Sequence, residues 1–152
     1  MRNGLYQYTE SGLETVFLVN GYEFKDNHEG KTVTIHDVDG LHRAIGIALV
    51  CRRQRLTGKE FRYLRSELLL SQASLAKILG KRELTIGRWE KGQSEIPLSA
   101  DALVRQLFAE SIGEQCSMKK LLEGIADLED NIDQIMTLEK SKQKWQLMPQ
   151  AA

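Results

Sequence analysis

The chain has little cysteine and little proline, two of each in 152 residues. Cys51 and Cys116 lie far apart with no second cysteine near either. That argues against a disulfide framework and fits a reducing cytoplasm as the expected compartment. There is no C-x-x-C pair and hence no zinc site of that kind. No run of about eighteen apolar residues occurs, so no helical membrane span is expected. The opening Met1-Arg2-Asn3-Gly4 leads into polar and aromatic residues and does not read as a secretory signal. No nucleophile–base set stands out, and the expectation is a protein that is not an enzyme and needs no cofactor.

Net charge is also absent, since 21 Lys/Arg balance 21 Asp/Glu. The balance is uneven along the chain. Residues 1–51 hold four cations and seven anions; residues 52–92 hold eleven and four; residues 93–152 hold six and ten. A strongly basic middle thus lies between two acidic flanks. Phosphate binding follows local cation density, so the segment matters more than the total.

The pattern predicts an α+β chain. Thr15-Val16-Phe17-Leu18-Val19, then Asn20-Gly21, then Tyr22-Glu23-Phe24 reads as a β-hairpin over 14–25 with a type I′ turn. A polar loop follows over 26–30, and Lys31-Thr32-Val33-Thr34-Ile35 is a third strand, completing a small antiparallel N-terminal sheet. Asp39-Gly40 opens a helix with Leu41, Ala44, Ile45, Ala48 and Leu49 at helical spacing, and Cys51 on its apolar face reads as a small core residue. This β-rich region spans 1–56. An all-α domain of five helices then begins, with its DNA-binding portion at 57–115. Thr57 and Glu60 make a capping box for a helix over 58–69. Ser71 caps the next, which Gly80 ends. Another spans 83–91 with Ile86 and Trp89 inward. Pro97 breaks the chain, and Ser99 caps a helix carrying Leu103 and Leu107. The 116–152 region is read as a long amphipathic helix to about Lys140 and a loosely ordered tail from Trp145.

One spacing carries function. A capped two-turn helix at 72–79 packs Ala76 against its successor, a short turn reverses the chain, and the following helix leaves Glu83, Leu84, Gly87 and Arg88 outward. An outward helix flanked by cations suits the DNA major groove. Leu70-Ser71-Gln72-x-x-Leu75-Ala76-x-x-Leu79-Gly80, followed by Thr85-Ile86-x-Arg88-Trp89-Glu90-x-Gly92, resembles the XRE/phage-repressor class of helix-turn-helix proteins over about 57–108. The resemblance implies double-stranded DNA as partner and gives roles to Gln72, Lys81, Arg82, Glu83, Leu84, Thr85, Gly87 and Arg88. Gln72 would touch a phosphate or an outer base. Arg88 would read guanine through O6 and N7, Leu84 would meet a thymine methyl, and Glu83 would accept from cytosine N4 or favour the helix N-terminus. Gly87 would let the backbones approach. Arg82 stands where the family has a Ser or Thr cap, whose loss costs about 1 kcal/mol; it would instead grip a phosphate. Glu90 matches the family's structural glutamate.

The stretch from Tyr6 to Arg62, including Ser11-Gly12-Leu13, Asn20-Gly21 and Asp39-Gly40-Leu41-His42-Arg43-Ala44, is similar to a group of short bacterial helix-turn-helix regulators. Their second half is similar to that of MqsA-type antitoxins. The antitoxins' zinc domain needs two C-x-x-C pairs that this chain lacks. The resemblances imply a transcriptional regulator, a repressor on an inverted-repeat operator. They leave open an antitoxin that neutralises a toxin protein through its N-terminal sheet and autoregulates.

Two weaker patterns remain. His36, Asp37, Asp39 and His42 have ligand-like spacing, but a strand-to-helix turn capped by Asp39 explains them without a metal. Met118, Leu121, Ile125, Leu128, Ile132 and Ile135 repeat at 3 and 4, a heptad seam that fits either self-packing or a homodimer.

Overall fold

A computed structural model describes residues 4–52, 54–113 and 135–148. It is α+β: a small N-terminal sheet region is followed by five helices. The chain forms two compact units, Met1–Ile45 with Gln134–Ala152, and Gly46–Asp133.

In the first unit, β1 (Tyr6–Gln7), β2 (Val16–Leu18), β5 (Met136–Lys140) and β6 (Trp145–Leu147) form one sheet in the order β1-β2-β5-β6. β2 is a short apolar run buried along its whole length, as expected of a central strand covered on both faces. It pairs antiparallel with β1 and parallel with β5, Val16 to Met136 and Leu18 to Leu138. The expected hairpin over 14–25 is not formed, because Asn20-Gly21 has other work. The Asn20 side chain donates to the Lys140 carbonyl at 3.1 Å and accepts the Lys140 N–H at 2.6 Å. Gly21, at φ 79°, has no room for a side chain: a Cβ there would lie 2.5 Å from the Trp145 ring. Asn20 does not take the positive φ that a type I′ turn requires.

The chain from Gly21 therefore enters a separate two-stranded sheet, β3 (Tyr22–Asn27) against β4 (Gly30–Ile35). The polar loop expected over 26–30 contracts to a tight turn, with Asn27 paired to Gly30. Tyr6, Tyr22 and Phe24 pack together, Phe24 edge-on to both tyrosines, with ring centroids 5.0–5.7 Å apart. Burial and the hydrogen-bonded carboxylate of Glu10 push the Tyr6 phenol up to about 12.

Helix α1 (Val38–Cys51) buries Leu41, Ile45 and Leu49 completely. Its cap is Asp37, not Asp39: Asp37 Oδ1 accepts the Gly40 N–H at 3.1 Å, because the first free N–H groups lie three residues after it. Cys51, expected in the core, is exposed at the helix end. The boundary between the units falls inside α1.

The expected helix to Lys140 fails at its end, where Met136 and Leu138 alternate inward as β5 and are buried. Ile135 precedes that strand and is exposed. Met118, Leu121, Ile125, Leu128 and Ile132 lie outside the described residues. The tail read as loose is also ordered where it is described. Trp145 is buried, and its indole N–H donates to the carbonyls of His36 and Asp37 at 2.9 and 3.1 Å.

The second unit packs α2 (Gly58–Glu67), α3 (Gln72–Leu79), α4 (Glu83–Glu90) and α5 (Leu98–Ile112) around Phe61, Leu64, Leu75, Ile86, Val104 and Phe108. Helix α5 starts after Pro97 with no side-chain cap, so Ser99 does not cap it. It buries Asp101, Val104, Arg105 and Phe108, whereas Leu103 and Leu107 are only half-buried. The true inward face contains an ion pair, which an apolar periodicity does not register.

Between α2 and α3, Leu69 sits at φ 58° and is 92% exposed. A leucine pays about 1–2 kcal/mol for this left-handed conformation and regains nothing by burial. Leu69→Gly is expected to stabilise the protein by roughly 1 kcal/mol or less, the larger entropy of unfolded glycine offsetting part of the relief. Urea denaturation checks the sign; a lower midpoint would mean that Leu69 is packed.

Candidate nucleic-acid interface

Three local devices set the angle and depth of α4. The first is the α3–α4 turn. Ser71 caps α3 by accepting the Ser74 N–H at 3.0 Å. Gly80 ends α3 in the left-handed region, and the Lys81 N–H returns to the Ala76 carbonyl at 2.8 Å. Two residues later α4 begins.

The second device is the inner face of α4. Ile86 is fully buried and Trp89 nearly so, with the Trp89 ring edge-on to Phe61 at 5.8 Å. The start of α2 lies close beneath: a Cβ on Gly58 would meet the Trp89 carbonyl at 2.5 Å. Thr57 accepts the Glu60 N–H at 3.2 Å and Glu60 accepts the Thr57 N–H at 2.9 Å, so the expected capping box is complete.

The third is an ion pair. Arg65 on α2 grips Glu90 through two hydrogen bonds, at 2.6 and 2.9 Å, and also donates to the Leu70 carbonyl at 2.9 Å. Gln72 adds a 3.1 Å hydrogen bond to Glu90 Oε1. A bidentate pair fixes direction as well as distance. Arg65 is the residue that reading the sequence missed. Its signal was Glu90, an acidic residue on the helix face that carries Ile86 and Trp89, which needs a cation once buried.

Of the eight residues expected at the interface, Lys81, Arg82, Glu83, Leu84 and Arg88 are exposed. Gln72, Thr85 and Gly87 are half-buried. Gln72 is held by Glu90 rather than free. A Cβ on Gly87 would meet only the Gln72 amide, at 3.6 Å, an ordinary contact. Packing inside the chain therefore does not demand glycine there, although glycine in a helix interior costs about 0.5–1 kcal/mol against alanine. Arg82 makes no side-chain cap bond, as its replacement of Ser or Thr implied.

The described cations of the basic segment differ in what they face. Arg52, Arg55 and Arg65 are committed to Glu60, Glu95 and Glu90. Arg62, Lys77, Lys81, Arg82, Arg88 and Lys91 are exposed and, among the described residues, have no ion-pair partner. Five of these six lie on α3, α4, the turn between them and the residue that ends α4, and the sixth, Arg62, is on α2. Leu84, 63% exposed, is the apolar residue among these cations on α4.

No family model matches the chain, and neither does any curated protein or solved structure. Among the described residues no three His, Cys, Asp or Glu side chains are grouped to hold a metal. Within the His36–His42 cluster, His36 faces Glu23 at 3.4 Å and His42 Nε2 is hydrogen-bonded to the Tyr8 hydroxyl at 2.8 Å. Among those same residues no helix is long and apolar enough to cross a membrane.

Proposed function

We propose that the protein is a sequence-specific DNA-binding regulator of transcription, a repressor that acts as a homodimer on an inverted-repeat operator in the cytoplasm. Helix α4 enters the major groove. The observation that carries this reading is the sorting of cations just described. Arg52 and Arg65, largely buried, are neutralised by Glu60 and Glu90, whereas Lys77, Lys81, Arg82, Arg88 and Lys91 are left unpaired around an exposed helix. A helical hairpin kept for packing alone has no use for that arrangement. Phosphates supply the missing anions, and each neutralised phosphate releases counterions. Arg88 and Leu84 read base edges, Lys81 and Arg82 hold the backbone, and Gln72 braces Glu90 from the preceding helix.

Selection from random double-stranded DNA with the whole protein tests the proposal. The enriched pool is expected to contain an inverted repeat whose half-site centres lie about 34 Å apart, one helical turn. A pool without sequence enrichment at about 0.15 M salt would leave only non-specific charge attraction and sink it.

A further inference from the structure

The β3–β4 ribbon leaves the outer edge of β4 without a partner strand among the described residues. The ribbon forms a sheet of its own, and a two-stranded ribbon is marginal in water without further cover. The His36 N–H bonds to the Gly21 carbonyl at 2.8 Å, which fixes the phase of the ladder. With Glu23 paired to Thr34 and Lys25 to Thr32, the backbone groups of Thr32 and Thr34 point inward to β3. Those of Lys31, Val33 and Ile35 point outward, and no hydrogen bond to them is present among the described residues.

The two edges of the ribbon differ. Along β3 run Glu23, Lys25 and Asp26, the charges by which proteins discourage pairing at an edge. Along β4 run Thr32, Val33, Thr34 and Ile35, four β-branched residues with no proline and only Lys31 charged. Such an edge is a template for another strand.

We infer that the β4 edge pairs antiparallel with β4 of a second copy, about a two-fold axis at Val33. In that register Val33 faces Val33, and each exchanges both backbone hydrogen bonds with its counterpart. Lys31 of each copy faces Ile35 of the other, so the edge's cation never meets itself. It lies instead at the end where the other chain turns through Asp37 and Asp39. A register centred one pair away on Lys31 would set like charges directly opposite, which is destabilising. Self-pairing at Val33 turns two ribbons into one four-stranded sheet. One face is then continuous through Tyr22, Phe24, Val33 and Ile35 of both copies, and Phe24 alone is now 52% exposed. This deepens the homodimer of the proposed function and rests on it, while placing the contact on an element of the first unit.

A charge swap at the axis tests the inference in the whole protein without DNA. Light scattering is expected to give the mass of two chains for the parent, and of one chain for Val33→Lys and for Val33→Glu alone. Mixing the two variants should restore the two-chain mass, because lysine then faces glutamate; a folding defect would not be repaired by mixing. A monomeric parent, a single variant that stays dimeric, or a mixture that stays monomeric overturns it. Since DNA is absent, none of these outcomes bears on the groove-facing role of α4.

Discussion

Replacing Asp101 by alanine is expected to destabilise the protein by about 3–5 kcal/mol, the cost of stranding a buried charge. Arg105 is completely buried, and its Nε lies 2.7 Å from Asp101 Oδ1. Burial lowers the pKa of this guanidinium, and the nearby charge of Asp101 opposes that. Among the described residues, removing the carboxylate leaves this fully buried cation with no anion in direct contact. A domain has roughly 5–15 kcal/mol of stability in total, so the loss is a large fraction of it. Many buried ion pairs can be replaced by apolar residues without penalty. This one is different, because both partners also hold the connector ahead of Thr57. Arg105 donates to the carbonyls of Leu49, Arg52 and Gln54, and Asp101 Oδ2 accepts the Leu56 N–H at 2.7 Å. The double change Asp101→Ala, Arg105→Met removes the charge but orphans those backbone groups, each worth about 1–3 kcal/mol when buried. Denaturant midpoints should therefore fall for the double variant too. A single variant within 1 kcal/mol of the parent would mean that water enters the site.

The elements that could be read from the sequence are those whose causes are local. Thr57 with Glu60, Ser71 with Ser74, and Gly80 each satisfy backbone groups within four residues, so the starts of α2 and α3 and the end of α3 followed from the text. The elements that could not be read depend on residues far away. Asn20-Gly21 has the composition of a hairpin turn, yet its partners are Lys140 and Trp145, 120 or more residues on. Ile135, Met136 and Leu138 continue a helical repeat as readily as they begin a strand, and only the parallel partner β2 decides between the two. Asp101 and Arg105 are spaced four apart on the face of α5 that an apolar template assigns to solvent. At the candidate interface the same division holds. The outward row of α4 was legible because period 3.6 and two inward anchors, Ile86 and Trp89, fix it. Which cations are free was not, since the commitment of Arg65 to Glu90 joins separate helices.

That separation of free from committed cations makes Arg88 the most informative substitution for function. Arg88→Ala is expected to weaken binding to the selected operator by about 1–3 kcal/mol per half-site, the worth of one bidentate contact to guanine. A dimer presents two such contacts, so the loss can approach twice that. Stability should change by no more than about 0.5 kcal/mol, because Arg88 is exposed and touches no carboxylate among the described residues. Sequence preference should relax at one symmetric position of the operator and stay intact elsewhere. Lys81→Ala makes the contrast. A phosphate contact carries no base information, so its loss should weaken all sequences alike and reduce the salt slope by about one unit. Gln72→Ala should cost less DNA affinity than Arg88→Ala, but some stability, since Gln72 donates to the buried Glu90. The measurements are titrations of operator and scrambled DNA at several salt concentrations, beside a denaturation curve for each variant. If folded Arg88→Ala binds the operator as tightly as the parent, the base-reading surface is not this face of α4. If it loses operator and scrambled DNA equally, Arg88 is a phosphate contact and specificity lies with Glu83, Leu84 or the shape of the DNA.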